Sequence, residues 1–251
     1  PLFNNATQAQ KAPGSTFKPI IAVAALEEGV IGLNDTVNCT GIYKEISPAL
    51  RCWIYPGQHG PLDVVHGIQN SCNVFFSEMG HRLSMDENGN YSPEFGIEKI
   101  RKYASLFGLD ETSGIEIAER EPQMTTEKPE ASSIGQGKNS YSNVQLSRYI
   151  TAVANKGTVF KLSLLDKMTD SQENLLEDFT PEVRSVIDVK DSTWNAVHTG
   201  MRRVISDGSA RKIFRWISPA RQVPPRKSKT DTASTMRSSF PLHRTRIPKS
   251  R

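Results

Sequence analysis

In Ser15-Thr16-Phe17-Lys18 a hydroxyl and an amine stand three positions apart, about one helical turn, so both fall on one face of a helix. At a helix start the free N–H groups and the dipole stabilise negative charge on an attacking oxygen. A lysine acts as base for such an oxygen only when desolvation or a nearby cation lowers its pKa. Behind Lys18, Ile20, Ile21, Val23, Ala24, Ala25 and Leu26 are apolar nearly all round, which predicts a buried helix and supplies that desolvation. Ser15 and Lys18 therefore point to acyl transfer through a serine ester. Spacing alone decides little. Ser209-Ala210-Arg211-Lys212 repeats the pattern with no apolar helix behind it, and a helix-capping serine before a surface lysine has the same spacing.

Metal chemistry has no comparable signature. Cys39, Cys52 and Cys72 fit no zinc spacing, and His59, His66, His81, His198 and His243 form no ligand cluster along the chain. No metal and no other cofactor is expected. Cys39 and Cys52 flank a loop rich in turn residues. Outside the cytoplasm they would close it as a disulfide and leave Cys72 free, a pairing that spacing does not establish.

The elements that must position the serine and lysine follow from periodicity. Residues 15–28 predict a helix with Pro19 in its first turn and Gly29 as its stop. Leu62, Val65 and Ile68 predict a short helix that breaks near Ser71-Cys72-Asn73, and Phe75, Phe76, Met79 and Leu83 carry the next one. Helical spacing returns at Ile97 to Phe107, at Leu146 to Val153 and at Trp194 to Ile205, with Gly108, Gly157 and Gly208 at the ends. Strands are expected at 114–117 and 157–165. Phe75, Phe76, Met79, Tyr149 and Trp194 are expected in the core.

A chain of 251 residues with 37% hydrophobic and 23% charged residues can bury one large core and is ordinary for a soluble domain. No apolar run nears the ~18–20 residues needed to cross a bilayer. Pro1 is no initiator and the opening residues are no signal peptide, so the start reads as cut. The net charge of +4 hides a step: residues 1–210 balance at −7, residues 211–251 at +11 with Asp231 their single acid. Such a step suits a tail that grips nucleic acid or an anionic surface. After Phe214, however, apolar periodicity vanishes.

Ala12-Pro13-Gly14-Ser15-Thr16-Phe17-Lys18-Pro19, preceded by Asn4-Asn5-Ala6-Thr7-Gln8, resembles the active-site segment of class B penicillin-binding proteins. Ser71-Cys72-Asn73 is similar to the family's second motif, Ser-x-Asn. Ser132-Ser133-Ile134-Gly135-Gln136-Gly137, then Ala152 to Thr158, then Gly200-Met201-Arg202-Arg203-Val204 follow in the family's order. The resemblance covers residues 1–213. It implies an α/β fold of the DD-transpeptidase/β-lactamase-like sandwich type, here mostly its helical part with most of the sheet missing. The buried faces of the Ser15 helix would then lack their partner.

By the same resemblance Ser15 is the nucleophile and Lys18 its base, with Ser71 relaying a proton and Asn73 bonding Lys18 and the substrate amide. Gly135, Gln136 and Gly137 would contact substrate. The implied activity is peptidoglycan D,D-transpeptidation, with stem peptides as substrates and β-lactams as acylating mimics. The implied setting is the outer face of the cell membrane, beside a membrane glycosyltransferase and with no nucleic acid. Alternatives are an inactive remnant or binding-only module and, less in keeping with Asn73 and the Pro-Gly/Pro frame around Ser15, a class D-like β-lactamase or sensor.

The family's third motif, Lys-Thr-Gly, has its nearest match at Lys229-Thr230-Asp231, where Asp puts a bulky anion at a position that needs glycine. A codon choice for residues 218–228 exists that, read one register over, gives Pro-Gly-Lys-Thr-Gly-Thr-Ala-Gln-Glu-Ile. The expectation is a reading frame lost between about Phe214 and Ser218. Residues 1–213 would then be a partial transpeptidase domain, and 214–251 a basic, disordered, out-of-frame tail.

Overall fold

The computed structural model describes residues 3–208, 210 and 211. Lys229-Thr230-Asp231, the basic tail, and the Ser209 and Lys212 of the second Ser-x-x-Lys match lie outside the described residues. After the short strand β1 (Gln10–Lys11), one turn of 3-10 helix, Gly14–Phe17, tightens the chain into α1 (Lys18–Glu27). Ser15 thus sits on a separate turn ahead of the α-helix, where a single helix over 15–28 was expected. Side-chain bonds help to hold that turn: Thr16 Oγ1 donates to the Pro13 carbonyl at 2.8 Å, and Tyr149 Oη donates to the Thr16 carbonyl at 2.9 Å.

Four short strands follow, β2 (Val37–Cys39), β3 (Ile42–Tyr43), β4 (Leu50–Arg51) and β5 (Gly60–Leu62), then helices α2 (Val64–Gln69), α3 (Asn73–Leu83), α4 (Pro93–Leu106) and α5 (Pro129–Ser132). The remainder runs β6 (Tyr141–Ser142), α6 (Asn143–Ala154), β7 (Thr158–Lys161), β8 (Lys167–Thr169), β9 (Leu175–Asp178), β10 (Glu182–Val186) and α7 (Asp191–Ser206). The helix starts carry the expected chemistry. Ser92 caps α4 ahead of Pro93, and Ser142 with Gln145 forms a reciprocal capping box on α6.

Every strand ladder among the described residues is two-stranded and antiparallel: β1 with β6, β2 with β5, β3 with β4, β7 with β10, and β8 with β9. The fold is therefore α/β with its core made by helices. The predicted strand at 157–165 is β7. The one at 114–117 does not form, because Glu116 takes the Leu164 N–H at 2.9 Å and the Ser163 hydroxyl at 2.6 Å, pinning the segment by side chain instead of by ladder.

Lys18 through Leu26 are all buried, and α2, α3, α4 and α7 pack around α1. This corrects the expectation that the α1 faces would lack a partner. Burying Ile20, Ile21 and Val23 stabilises the chain by roughly 1.5–3 kcal/mol each. Phe75, Phe76, Met79, Tyr149 and Trp194 are core residues, as expected. On α6 the buried Arg148 donates to the carbonyls of Gly108, Glu111 and Thr112, fastening the loop after α4.

Candidate active site

α1 presents Lys18 inward at 2% exposure, while Ser15 on the preceding turn is exposed. The Lys18 amine donates to the Ser71 carbonyl at 2.7 Å, to Ser71 Oγ at 3.1 Å and to Asn73 Oδ1 at 2.8 Å. Asn73 Nδ2 donates to the Arg51 carbonyl at 3.1 Å, which fixes the amide so that its oxygen faces the lysine. The Phe76 ring lies under the amine, 5.5 Å from nitrogen to centroid. Ser15 Oγ makes no hydrogen bond among the described residues, so this hydroxyl is open to a ligand while the Lys18 amine is held by Ser71 and Asn73.

The break between α2 and α3 brings Ser71 and Asn73 to Lys18. Ser71 adopts φ +46°, a left-handed conformation that a serine takes at some strain. This reverses the chain so that Cys72 can cap α3, its sulfur accepting from the Phe75 N–H at 3.4 Å. The elbow is where sequence periodicity broke off.

Burial pushes the Lys18 amine down from 10.5 to about 8, against the opposing influence of the Cys72 and Cys52 sulfurs. Three acceptors match an ammonium's three N–H bonds; the neutral amine keeps two and frees a lone pair. If that neutral form is the base, acylation by a β-lactam rises with pH, passes its midpoint near 8 and then levels off. Stopped-flow acylation rates between pH 6 and 10 check this, and a flat profile would remove Lys18 from the role.

The residues expected to contact substrate separate. Gly135 is buried against the Ser15 turn, its carbonyl accepting from the Gly14 N–H at 3.0 Å, whereas Gln136 and Gly137 are exposed. Gly135 has φ +72°, and a Cβ there would lie 2.0 Å from the Gly14 carbonyl oxygen. Gly135→Ala is expected to cost at least about 2 kcal/mol and to slow acylation by displacing the serine turn. Denaturant unfolding and labelling rates on one preparation check both effects.

The cysteines depart from expectation. All three are buried and unbonded, so the Cys39–Cys52 disulfide is not formed. Cys72 is free, as expected, with its sulfur 3.9 Å from that of Cys52, and His59 Nδ1 lies 3.5 Å from Cys39 Sγ and 3.7 Å from Cys52 Sγ. The bond shared with Cys72 holds the Cys52 thiol below its ordinary range, helped by N–H groups of Ile54, Asn73 and Val74, while Cys72 is pushed up. The statement that the histidines join no ligand cluster is thus corrected for His59. The ladder of β2 with β5 pairs Cys39 with Gly60, next to His59, a proximity set by register rather than by sequence spacing.

The sequence profile described as the penicillin binding protein transpeptidase domain matches residues 1–238. The chain belongs to this family. The match runs beyond residue 213, where the resemblance was expected to stop, and crosses Lys229-Thr230-Asp231. The peptidoglycan D,D-transpeptidase MrdA of Escherichia coli K12 is 29% identical over 233 residues, covering 85% of this chain and 35% of that protein. MrdA of Haemophilus influenzae is 28% identical over 227 residues, covering 85% and 34%. The chain therefore spans about a third of the length of these relatives. Among solved structures, PBP2 of Pseudomonas aeruginosa shares the fold with a TM-score of 0.69 at 23% identity, covering 85% of this chain and 49% of that one. A peptidoglycan synthase complex that coordinates polymerization and crosslinking does so with 0.71 at 24%, covering 85% and 36%. The penicillin-binding transpeptidase fold is thus the frame in which Lys18, Ser71 and Asn73 meet, one turn from Ser15.

Proposed function

We propose that this chain carries the acyl-transfer site of a peptidoglycan D,D-transpeptidase. Ser15 Oγ attacks the penultimate D-alanyl carbonyl of a stem peptide and forms the ester as the bond to the terminal D-alanine breaks. The Ser15 proton passes to the neutral Lys18 amine and, through Ser71 Oγ, to the departing amine. An amino group of a second stem peptide then takes the acyl group and releases Ser15; water in its place gives carboxypeptidase action. A β-lactam opens on Ser15 in the same way. One observation supports this most: a buried lysine, one turn from an exposed serine, held by Ser71 and Asn73 from 53 and 55 residues away. Gln136 and Gly137 stand on the rim as substrate contacts.

The working location is the outer face of the cell membrane, with an anchor and a glycosyltransferase partner supplied outside this segment. Among the described residues no helix is long and apolar enough to cross a membrane. The division into a transpeptidase part, 1–213, and an out-of-frame tail, 214–251, belongs to the same proposal. The lack of a Lys-Thr-Gly, whose nearest match Lys229-Thr230-Asp231 is not accepted as that motif, favours a second reading, a chain that binds stem peptide or β-lactam without turnover.

A fluorescent penicillin, applied to this chain and to a version with the frame restored after Phe214, separates the readings. Labelling of the restored chain alone supports both the site and the lost frame. Labelling of both supports the site and sinks the lost frame. Labelling of neither sinks the acyl-transfer reading. Resequencing the gene through residues 214–218 is the direct check on the frame.

A further inference from the structure

A buried tyrosine hydroxyl needs a hydrogen-bond partner, and the partner it takes shows what it holds. Tyr149 on α6 is fully buried, its ring edge-on to Phe107 with 5.5 Å between centroids. Its hydroxyl donates to the Thr16 carbonyl at 2.9 Å, across 133 residues of chain. That carbonyl sits at the joint between the 3-10 turn and α1. The Ser15 carbonyl takes the Lys18 N–H, and the Phe17 carbonyl, at the N-cap, accepts the first bond of α1. Thr16 falls between the two. The residue three positions on, whose N–H would close a 3-10 bond to Thr16, is Pro19, which has no N–H. The next amide is that of Ile20, and its N–H faces the Tyr149 oxygen. A hydroxyl both donates and accepts, so one group serves both open ends of the joint. Side chains set into a helix ladder in this way bend it.

Tyr149 reaches the joint from a fixed support. Ser142 and Gln145 cap α6 reciprocally, and β6, just before them, pairs with β1, which leads into the serine turn. Tyr141 on β6 stacks on Phe17 with 6.3 Å between centroids and 13° between planes. The start of α6 and the serine turn therefore share one frame. We propose that Tyr149 is a positioning residue: its hydroxyl, set into the gap that Pro19 opens between the serine turn and α1, fixes where the Ser15 side chain stands relative to the Lys18 amine. Buried as it is, Tyr149 reaches no substrate and acts through the turn alone. This role rests on the acyl-transfer reading of Ser15.

Tyr149→Phe keeps the ring and removes the donor. In whichever form of the chain labels with penicillin, stopped-flow kinetics separates the noncovalent dissociation constant from the acylation step. Acylation is expected to slow about 10–100-fold, the scale of a misplacement near 1 Å. The dissociation constant should stay within about 2-fold. The pH midpoint near 8 should not move, because every acceptor of the Lys18 amine is left in place. Pro19→Ala restores an N–H three residues after Thr16. In Tyr149→Phe/Pro19→Ala the acylation step should therefore regain at least about 5-fold, and the urea midpoint lost in Tyr149→Phe should rise again.

Acylation within about 2-fold of the parent in Tyr149→Phe would overturn the role. So would a shifted pH midpoint, which would place the effect on the base, or a weakened dissociation constant that accounts for the whole loss. No recovery in the double variant would assign the loss to packing and overturn it as well. If Tyr149→Phe does not fold, the double variant should; failure of both to fold counts against the role in the same way. A chain that labels in neither form sinks the acyl-transfer reading and this role with it. The urea midpoints need no penicillin, so they show separately whether the hydroxyl bridges the joint.

Discussion

Ser15→Ala is expected to abolish covalent attachment of penicillin, a fall of about 10⁶-fold in acylation, the scale set by loss of a serine nucleophile from an acyl-transfer site. Ser15 is exposed on its 3-10 turn and its hydroxyl holds nothing else in place, so stability should change by no more than about 0.5 kcal/mol. This split between activity and stability is diagnostic. Lys18→Met should differ, losing roughly 10²–10⁴-fold in acylation and also destabilising the fold. Met is close in length, but it leaves the Ser71 carbonyl and Asn73 Oδ1 facing a thioether that cannot donate. Mass spectrometry of the adduct and urea unfolding on the same samples check both. An adduct that persists in Ser15→Ala would put the nucleophile elsewhere.

Arg148→Met is the largest stability loss expected outside the site, about 3–5 kcal/mol. The guanidinium is 2% exposed and feeds the carbonyls of Gly108, Glu111 and Thr112, with the Glu111 carboxylate 3.6 Å away. Removing it strands three acceptors and frees the loop that follows α4. A fall in urea midpoint with an unchanged m-value would fit this account. A loss under 1 kcal/mol would mean that water serves the carbonyls equally well.

Much of this was legible in the chain. α2, α3, α4, α6 and α7 lie where apolar residues recur at helical spacing, and they end where Gly108 and Gly157 allow a reversal. The Ser15–Lys18 pair was visible as spacing, and Ser71 with Asn73 as a second motif, because each is a local string. The strands β8 and β9 carry no exposed-to-buried alternation, and with both faces in water there was no period of two to detect. The convergence of Cys39, Cys52, His59 and Cys72 was also invisible. Zinc signatures are recognised by ligands two to four residues apart on a knuckle, and these four are brought together by the β2–β5 register and a helix cap. Gly135 was noticed as part of a motif, but its job, leaving room for the Gly14 carbonyl, is legible only when the two backbones are seen to touch.

Ser71 sits in a backbone basin that an L-residue occupies reluctantly, and the bond from Lys18 to its carbonyl helps to keep it there. The buried amine is thus a latch on the wall of its own pocket. Whatever changes the number of hydrogens it carries, whether titration or a carbamoylating reagent, alters that latch in the same event. Relaxation of the α2–α3 corner should therefore keep step with the protonation of Lys18, without any separate moving part.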